Sequence, residues 1–213
     1  GLDDLLGFAV LGREVNNGNW LLWSHAWCHP VALERRKSET PKYRDFEQDG
    51  DLTIVKEIGQ DFADVGVIVR RCDASGLLDR IGVDPAGIGG IVDELEGGDE
   101  NGDGAIEHDR IVGIPQGWRM NGAIKTMERK VAEKTLIHGG SALMDWCVGN
   151  ARVEPRGNAV SITKQASGTG KIDPLIASLA AVSLMAMNPE PRGFRSAYDG
   201  LNSEEISQRM VFK

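Results

Sequence analysis

Residues 170–187, GKIDPLIASLAAVSLMAM, are the stretch around which the rest of the chain is organised. Apolar residues follow Pro174 for about four turns and leave little polar surface, a pattern typical of a deeply buried helix. Pro174 fits the first helical position, where no backbone N–H is needed, and Asp173 fits the N-cap before it. A buried helix holds the acid at its start in a fixed place. Asp173 is therefore either a helix cap or a functional carboxylate.

The composition favours one mixed domain and argues against several classes of protein. A chain of 213 residues with 41% hydrophobic residues can build one core. The net charge of −8 argues against a broad basic surface for nucleic acid, but a metal-dependent nuclease concentrates carboxylates at its metal. Cys28, Cys72 and Cys147 are widely separated, which predicts neither a zinc site nor a disulfide framework and favours a reducing compartment. No apolar run is long enough to span a bilayer.

The predicted elements begin with a hairpin and then alternate. Residues 5–14 and 20–28 read as two strands joined by the turn signal Asn17-Gly18, and a charged, helix-prone segment follows. Further strands are predicted at 52–58, 80–83 and 109–115, and helices at 62–72, 88–95 and 121–135. Residues 143–153 and 159–164 are expected to form a second hairpin. This order predicts a mixed α/β sheet.

Two Asp-Pro pairs stand where a buried element meets a loop. Asp84 ends the strand RIGVD, and sites in open α/β sheets form at the carboxyl ends of strands. The alternative is that Asp84 only starts a turn, just as Asp173 could be only a cap. Together with Asp3 and Asp4 at the start of the first strand, these acids could form a carboxylate cluster of the kind that binds Mg²⁺ or Mn²⁺. Two such ions about 4 Å apart support phosphodiester hydrolysis. Sequence spacing alone does not show that the acids converge.

The segment 99–110, DENGDGAIEHDR, resembles a calcium-binding EF-hand loop in its first eight positions. The bidentate Glu required at position 12 is replaced by Arg110, and a strand rather than a helix follows. We therefore expect an acidic surface loop, with calcium binding as the alternative.

Gly168-Thr169-Gly170-Lys171 resembles a phosphate-binding loop only superficially. A Walker A motif needs Gly and Ser or Thr where this chain has Gln165 and Ile172, so no ATP site is predicted. Lys164 and Lys171 could instead contact a DNA backbone, or they could be solvated lysines in a flexible loop.

Several of these pieces, taken in order, resemble the nuclease domain of the terminase large subunits of tailed phages and prophages. The matching pieces are GLDDLLGFAVLGRE (1–14), WLLWSHAW (20–27), IGVDPAGIGGIVDEL (81–95), VGIPQGW (112–118), WCVGNARVEP (146–155) and ITKQ…KIDPLIA (162–177). The resemblance covers most of residues 1–188, and we expect residues 189–213 to form a loose C-terminal tail.

The resemblance implies an RNase H-like fold, with helices on both faces of a mixed sheet, and metal-dependent cutting of concatemeric double-stranded DNA during genome packaging. The implied cofactor is Mg²⁺ or Mn²⁺ in a two-metal site. The implied partners are DNA, the terminase ATPase domain, the small terminase subunit and the portal, without a membrane. The implied location is the cytoplasm of the bacterial host.

Residue by residue, Asp84 matches the family's acid at the end of a central strand, and Asp173 matches the acid that opens the last helix. The family's first acid lies on a strand before the GLDD segment, so we expect this chain to be an excised domain or processed fragment that begins after that strand and lacks it. Asp4 then matches an auxiliary acid and Asp3 its neighbour; alternatively, Asp3 itself is the first acid. A rival interpretation of the whole chain is a non-catalytic RNase H-like docking module that contacts the motor, portal or small subunit.

Overall fold

The hairpin at the start of the chain builds the centre of the fold. The computed structural model describes residues 2–86, 89–99, 101–164 and 170–190. β1 (Leu5–Arg13) and β2 (Trp20–Cys28) pair antiparallel along their whole length, from Leu5 opposite Cys28 to Arg13 opposite Trp20. Gly18 in the connection has a φ of 74°, which glycine adopts without strain. The predicted hairpin is confirmed.

Two short strands extend this sheet on the other side of β2. β3 (Leu52–Ile54) runs parallel to the end of β2, and β6 (Leu136–His138) runs parallel to its beginning. The result is a mixed four-stranded sheet, as the order of elements predicted. β6 has no counterpart in the sequence prediction.

The remaining described strands form two smaller, two-stranded sheets. β4 (Ile81–Val83) pairs parallel with β5 (Ile111–Gly113), and β7 (Ala151–Arg156) pairs antiparallel with β8 (Ala159–Lys164). The strand predicted from residue 143 is wrong, because α6 (Ala142–Asn150) occupies that place. The Ser141 hydroxyl accepts a hydrogen bond from the Met144 N–H and caps this helix, so the hairpin begins only at Ala151.

Helices cover both faces of the central sheet. They are α1 (Pro30–Arg35), α2 (Thr40–Gln48), α3 (Gln60–Ala74), α4 (Gly89–Gly97), α5 (Asn121–Ala132), α6 and α7 (Asp173–Met185). α7 is buried against one face, where Leu179 and Val182 pack with Ala26 of β2. α3 packs on the opposite face, where Val65 and Val69 lie in a second core with Trp27. The prediction of an α/β fold with helices on both sides is confirmed.

Parts of two predicted segments lie outside the described residues. They are residues 165–169 of the loop before α7 and residues 191–213 of the C-terminal tail. Within the rest of the chain, every helix falls short of the length and hydrophobicity that a membrane span requires.

Candidate active site

The first turn of α7 rests directly on the backbone of β1 at Gly7. A Cβ atom at Gly7 would lie 2.4 Å from the carbonyl carbon of Asp173 and 2.6 Å from the nitrogen of Pro174. Only a residue without a side chain permits this approach. The contact fixes the position of Asp173 relative to the sheet.

Asp173 is the first residue of α7, and Ile172, not Asp173, occupies the N-cap position. The predicted cap is therefore wrong, because no side-chain capping hydrogen bond forms among the described residues. The Oδ2 atom of Asp173 is buried and accepts no hydrogen bond within this same set of residues. Burial raises the pKa of the Asp173 carboxyl, repulsion from Asp4 adds to the rise, and Lys164 and Lys171 oppose it. A buried carboxylate oxygen without a donor is unfavourable and can be stabilised by a cation.

Asp84 and Asp173 line the same cavity, which has a volume of about 800 Å³. Asp84 is exposed and follows β4 directly. Its Oδ1 accepts a hydrogen bond of 3.0 Å from the Ala86 N–H. Asp84 therefore does start a turn, as the alternative interpretation predicted, but it uses only one of its two oxygens to do so. A carboxylate can close a turn through one oxygen and bind a cation through the other. Asp4 and Lys164 also line this cavity.

Asp4 is bound by a buried lysine. The Lys171 ammonium donates hydrogen bonds to Asp4 Oδ1 at 2.5 Å and to the Asp3 carbonyl oxygen at 2.8 Å. Burial alone would raise the pKa of Asp4, but the hydrogen bond from Lys171 and the charges of Lys171 and Lys164 hold it below its usual value. Only 4% of the Lys171 surface is exposed. The predicted contact between Lys171 and DNA does not fit this burial, because the Lys171 ammonium is paired with Asp4 inside the protein.

Lys164 lines the cavity next to Asp4. Its ammonium lies 3.6 Å from Asp4 Oδ1, and 42% of its side chain is exposed. It ends β8 at the cavity wall.

Asp3 is paired with an arginine. Both of its carboxylate oxygens accept from the Arg36 guanidinium, at 3.1 Å and 3.3 Å. The hydrogen bond from Arg36 lowers the pKa of Asp3. The prediction that Asp3 is a metal ligand, or the first acid of the site, does not fit this arrangement, because both oxygens are already paired.

Two acidic side chains at the cavity could offer oxygens to a cation. Across the described residues, Asp, Glu, His and Cys side chains form no group of three or more that could hold a metal ion. Asp173 offers an oxygen without a partner, and Asp84 offers a second carboxylate at the same cavity. Asp4 Oδ1 is paired with the Lys171 ammonium.

A groove of about 740 Å³ runs along the outer edge of β1, bounded by residues 77–82 and α7. Among the described strands, β1 pairs only with β2, and β4 pairs only with β5. Each of the two thus presents an edge that no described strand pairs with, and both edges line the groove. Open edges of this kind can accept a further strand.

His29 also lines the cavity. Its Nδ1 accepts a hydrogen bond of 3.3 Å from the Val31 N–H and caps α1, so it has a structural role. Pro30 begins the helix, and a proline at the first helical position is the signal that marks His29 as the cap. Gln116, which the sequence did not single out, also lines the cavity.

Comparisons with known proteins place this fold. No protein-family model matches the chain, and neither does any curated protein. Among solved structures, the crystal structure of the HK97 bacteriophage large terminase matches 85% of this chain with a TM-score of 0.68 and 20% sequence identity. The matched region is 37% of that terminase, so the chain spans little more than a third of its length. The chain thus has a terminase-like fold.

Proposed function

We propose that this chain is a metal-dependent endonuclease domain with an RNase H-like fold that cuts double-stranded DNA during phage genome packaging. The observation that carries the proposal is the buried Oδ2 of Asp173, which has no hydrogen-bond partner among the described residues, in a cavity that Asp84 also lines. The terminase-like fold supports the substrate class, because the similar solved structure is a large terminase.

Each residue then has a defined task. Bound Mg²⁺ or Mn²⁺ would supply the positive charge that activates water and stabilises the leaving oxygen. Asp173 and Asp84 would hold the ion, and the contact at Gly7 keeps Asp173 in register with the sheet. Lys164 would contact a phosphate of the DNA backbone, which positions the duplex without reading its sequence. The ion-paired Lys171 and Asp3 would stay structural.

The groove beside β1 supports a second part of the proposal. An extended segment between β1 and β4 would join the central sheet to the β4–β5 sheet and could bring a further acid next to Asp173. This arrangement agrees with the strand that the terminase resemblance places before the GLDD segment. The ATPase domain, small terminase subunit and portal would be partners of such a protein in the cytoplasm of its bacterial host.

Cleavage of supercoiled plasmid DNA with Mn²⁺ tests the proposal. The assay uses this chain and any longer natural polypeptide that contains it. Asp173→Ala and Asp84→Ala should each lower the cleavage rate more than roughly 100-fold. Loss of a residue that only supports a metal ligand costs up to about that much, and loss of the ligand itself should cost more. Asp45→Ala on α2 is the matched control, since Asp45 is exposed and lies outside the cavity lining. If the Asp173 and Asp84 variants cut as fast as the control, the nuclease proposal is wrong.

The rival candidate, a non-catalytic docking module, is favoured by two observations. Asp4 is already neutralised, and the open edge of β1 offers a docking surface for an extended segment of a partner. Thermal unfolding with and without Mn²⁺ separates the two candidates. An ion that binds the folded state raises the melting temperature, so a nuclease centre predicts a rise that Asp173→Asn removes. A docking module predicts no rise.

A further inference from the structure

Trp118 is an exposed aromatic side chain at the rim of the proposed active site. It lies in a short 3₁₀ helix, Gly117–Met120, and 59% of its surface is exposed. Gly117 and Met120, on either side of it in the chain, both line the cavity that Asp173 lines. The Trp118 ring is therefore within reach of a polymer that occupies this cavity.

The elements beside this ring fix its position. Met120 is 3% exposed and packs in the larger core. The side-chain oxygen of Asn121 accepts a hydrogen bond of 3.0 Å from the Val160 N–H, which ties the end of the 3₁₀ helix to β8. β8 in turn ends at Lys164 on the cavity wall. Trp118 therefore contacts a ligand without the cost of ordering a loop first.

Two exposed cations accompany the ring. The guanidinium carbon of Arg119 lies 5.6 Å from the centre of the Trp118 ring, within the range of a cation–π contact. Arg119 and Lys125 of α5 are both exposed, and neither forms an ion pair with another residue in the part of the chain that the structure describes. An aromatic ring next to such cations is the combination that binds single-stranded nucleic acid, because bases stack on the ring and the cations attract the phosphates.

We infer that Trp118 stacks on an unpaired base of the DNA strand that enters the cavity, and that Arg119 contacts a neighbouring phosphate. This inference rests on the proposed function and specifies the form of DNA that the site prefers. Bases inside a duplex already stack on their neighbours, so an aromatic side chain can stack only on a base that has left the duplex. The site should therefore bind DNA with unpaired bases more tightly than a fully paired duplex.

The test measures the binding of this chain to two fluorescently labelled DNA probes in EDTA, which removes the metal that cleavage needs. One probe is a fully paired duplex, and the other is the same duplex with single-stranded overhangs. The wild type should bind the probe with overhangs more tightly. Trp118→Ala should weaken that binding at least about fivefold, the low end of one base–aromatic stack, and should leave duplex binding within about twofold.

Three further variants separate stacking from other effects. Trp118→Phe keeps a ring and should bind the probe with overhangs within about threefold of the wild type. Trp23→Ala is the matched control, since Trp23 is 47% exposed but lies outside the cavity lining, and it should bind both probes like the wild type. Arg119→Gln should weaken the binding of both probes equally, because both carry phosphates.

Three results would overturn the inference while leaving the nuclease proposal intact. One is that Trp118→Ala binds the probe with overhangs as tightly as Trp23→Ala does. Another is that Trp118→Ala weakens both probes equally, since the duplex offers no unpaired base, and the third is a wild type that binds neither probe. The nuclease proposal itself is decided by the cleavage assay with Asp173→Ala. Circular dichroism checks that each variant is folded.

Discussion

Gly7→Ala is expected to disturb both the stability of the fold and the geometry of the site. The new Cβ would stand 2.4 Å from the Asp173 carbonyl carbon and 2.5 Å from the Asp173 oxygen. These are backbone atoms, so no side-chain rotation can relieve the contact. Ordinary contact begins near 3.4 Å, and β1 and α7 must therefore separate by about 1 Å.

Overpacking of this kind typically costs 1–3 kcal/mol. We expect Gly7→Ala to lose about 2–3 kcal/mol of unfolding free energy, because α7 carries much of the larger core. Urea denaturation followed by circular dichroism measures the loss. The same displacement moves Asp173, so the affinity for Mn²⁺ should fall as well.

Gly12→Ala supplies the matched control on the same strand. A Cβ at Gly12 meets no described atom within 4 Å, and its free energy of unfolding should stay within about 0.5 kcal/mol of the wild type. Equal urea midpoints for the Gly7 and Gly12 variants would refute the argument that this close approach positions Asp173.

Three further predictions follow from the ionisable groups. Burial raises the pKa of the Asp173 carboxyl above its usual 3.8, so the folded state favours the protonated carboxyl and loses stability as the pH rises through the folded-state pKa. Asp173→Asn, which carries no charge, should therefore have a higher urea midpoint than the wild type at pH 7, and the difference between the two midpoints should disappear at about pH 4. Asp3→Asn should leave Mn²⁺ binding unchanged in a calorimetric titration, because Asp3 is paired with Arg36; a loss of the ion would restore Asp3 as a ligand. Arg110→Met should cost about 2–3 kcal/mol in urea denaturation, because the guanidinium, 11% exposed, donates to the Leu78 and Asp79 carbonyls and to Asp73; an unchanged midpoint would show that these bonds add nothing.

The sequence predicted the elements whose pattern is local. Asn17-Gly18 marked the first hairpin, and the apolar run after Pro174 marked α7, because turn chemistry and helical periodicity act within a few residues. β6 escaped prediction because three residues carry too little pattern. The strand predicted over 143–153 was wrong because an apolar segment of that length suits a helix equally well. The Ser141 cap favours the helix, since its hydroxyl accepts a hydrogen bond from the Met144 N–H.

The site was predictable in part for the same reason. Asp84 and Asp173 stood at recognisable ends of elements, and the structure places both on one cavity. The difference between Asp3 and Asp4 could not be read, because their partners Arg36 and Lys171 are distant in sequence. Lys171 resembled a solvated loop lysine, and only tertiary packing buries its ammonium against Asp4.

Anomalous X-ray diffraction from crystals soaked in Mn²⁺ tests the central claim, a metal centre built on Asp173, most directly. The account predicts a strong anomalous peak in direct coordination distance, roughly 2.0–2.3 Å, of Asp173 Oδ2, with Asp84 beside it. The absence of any peak near Asp173 would contradict it.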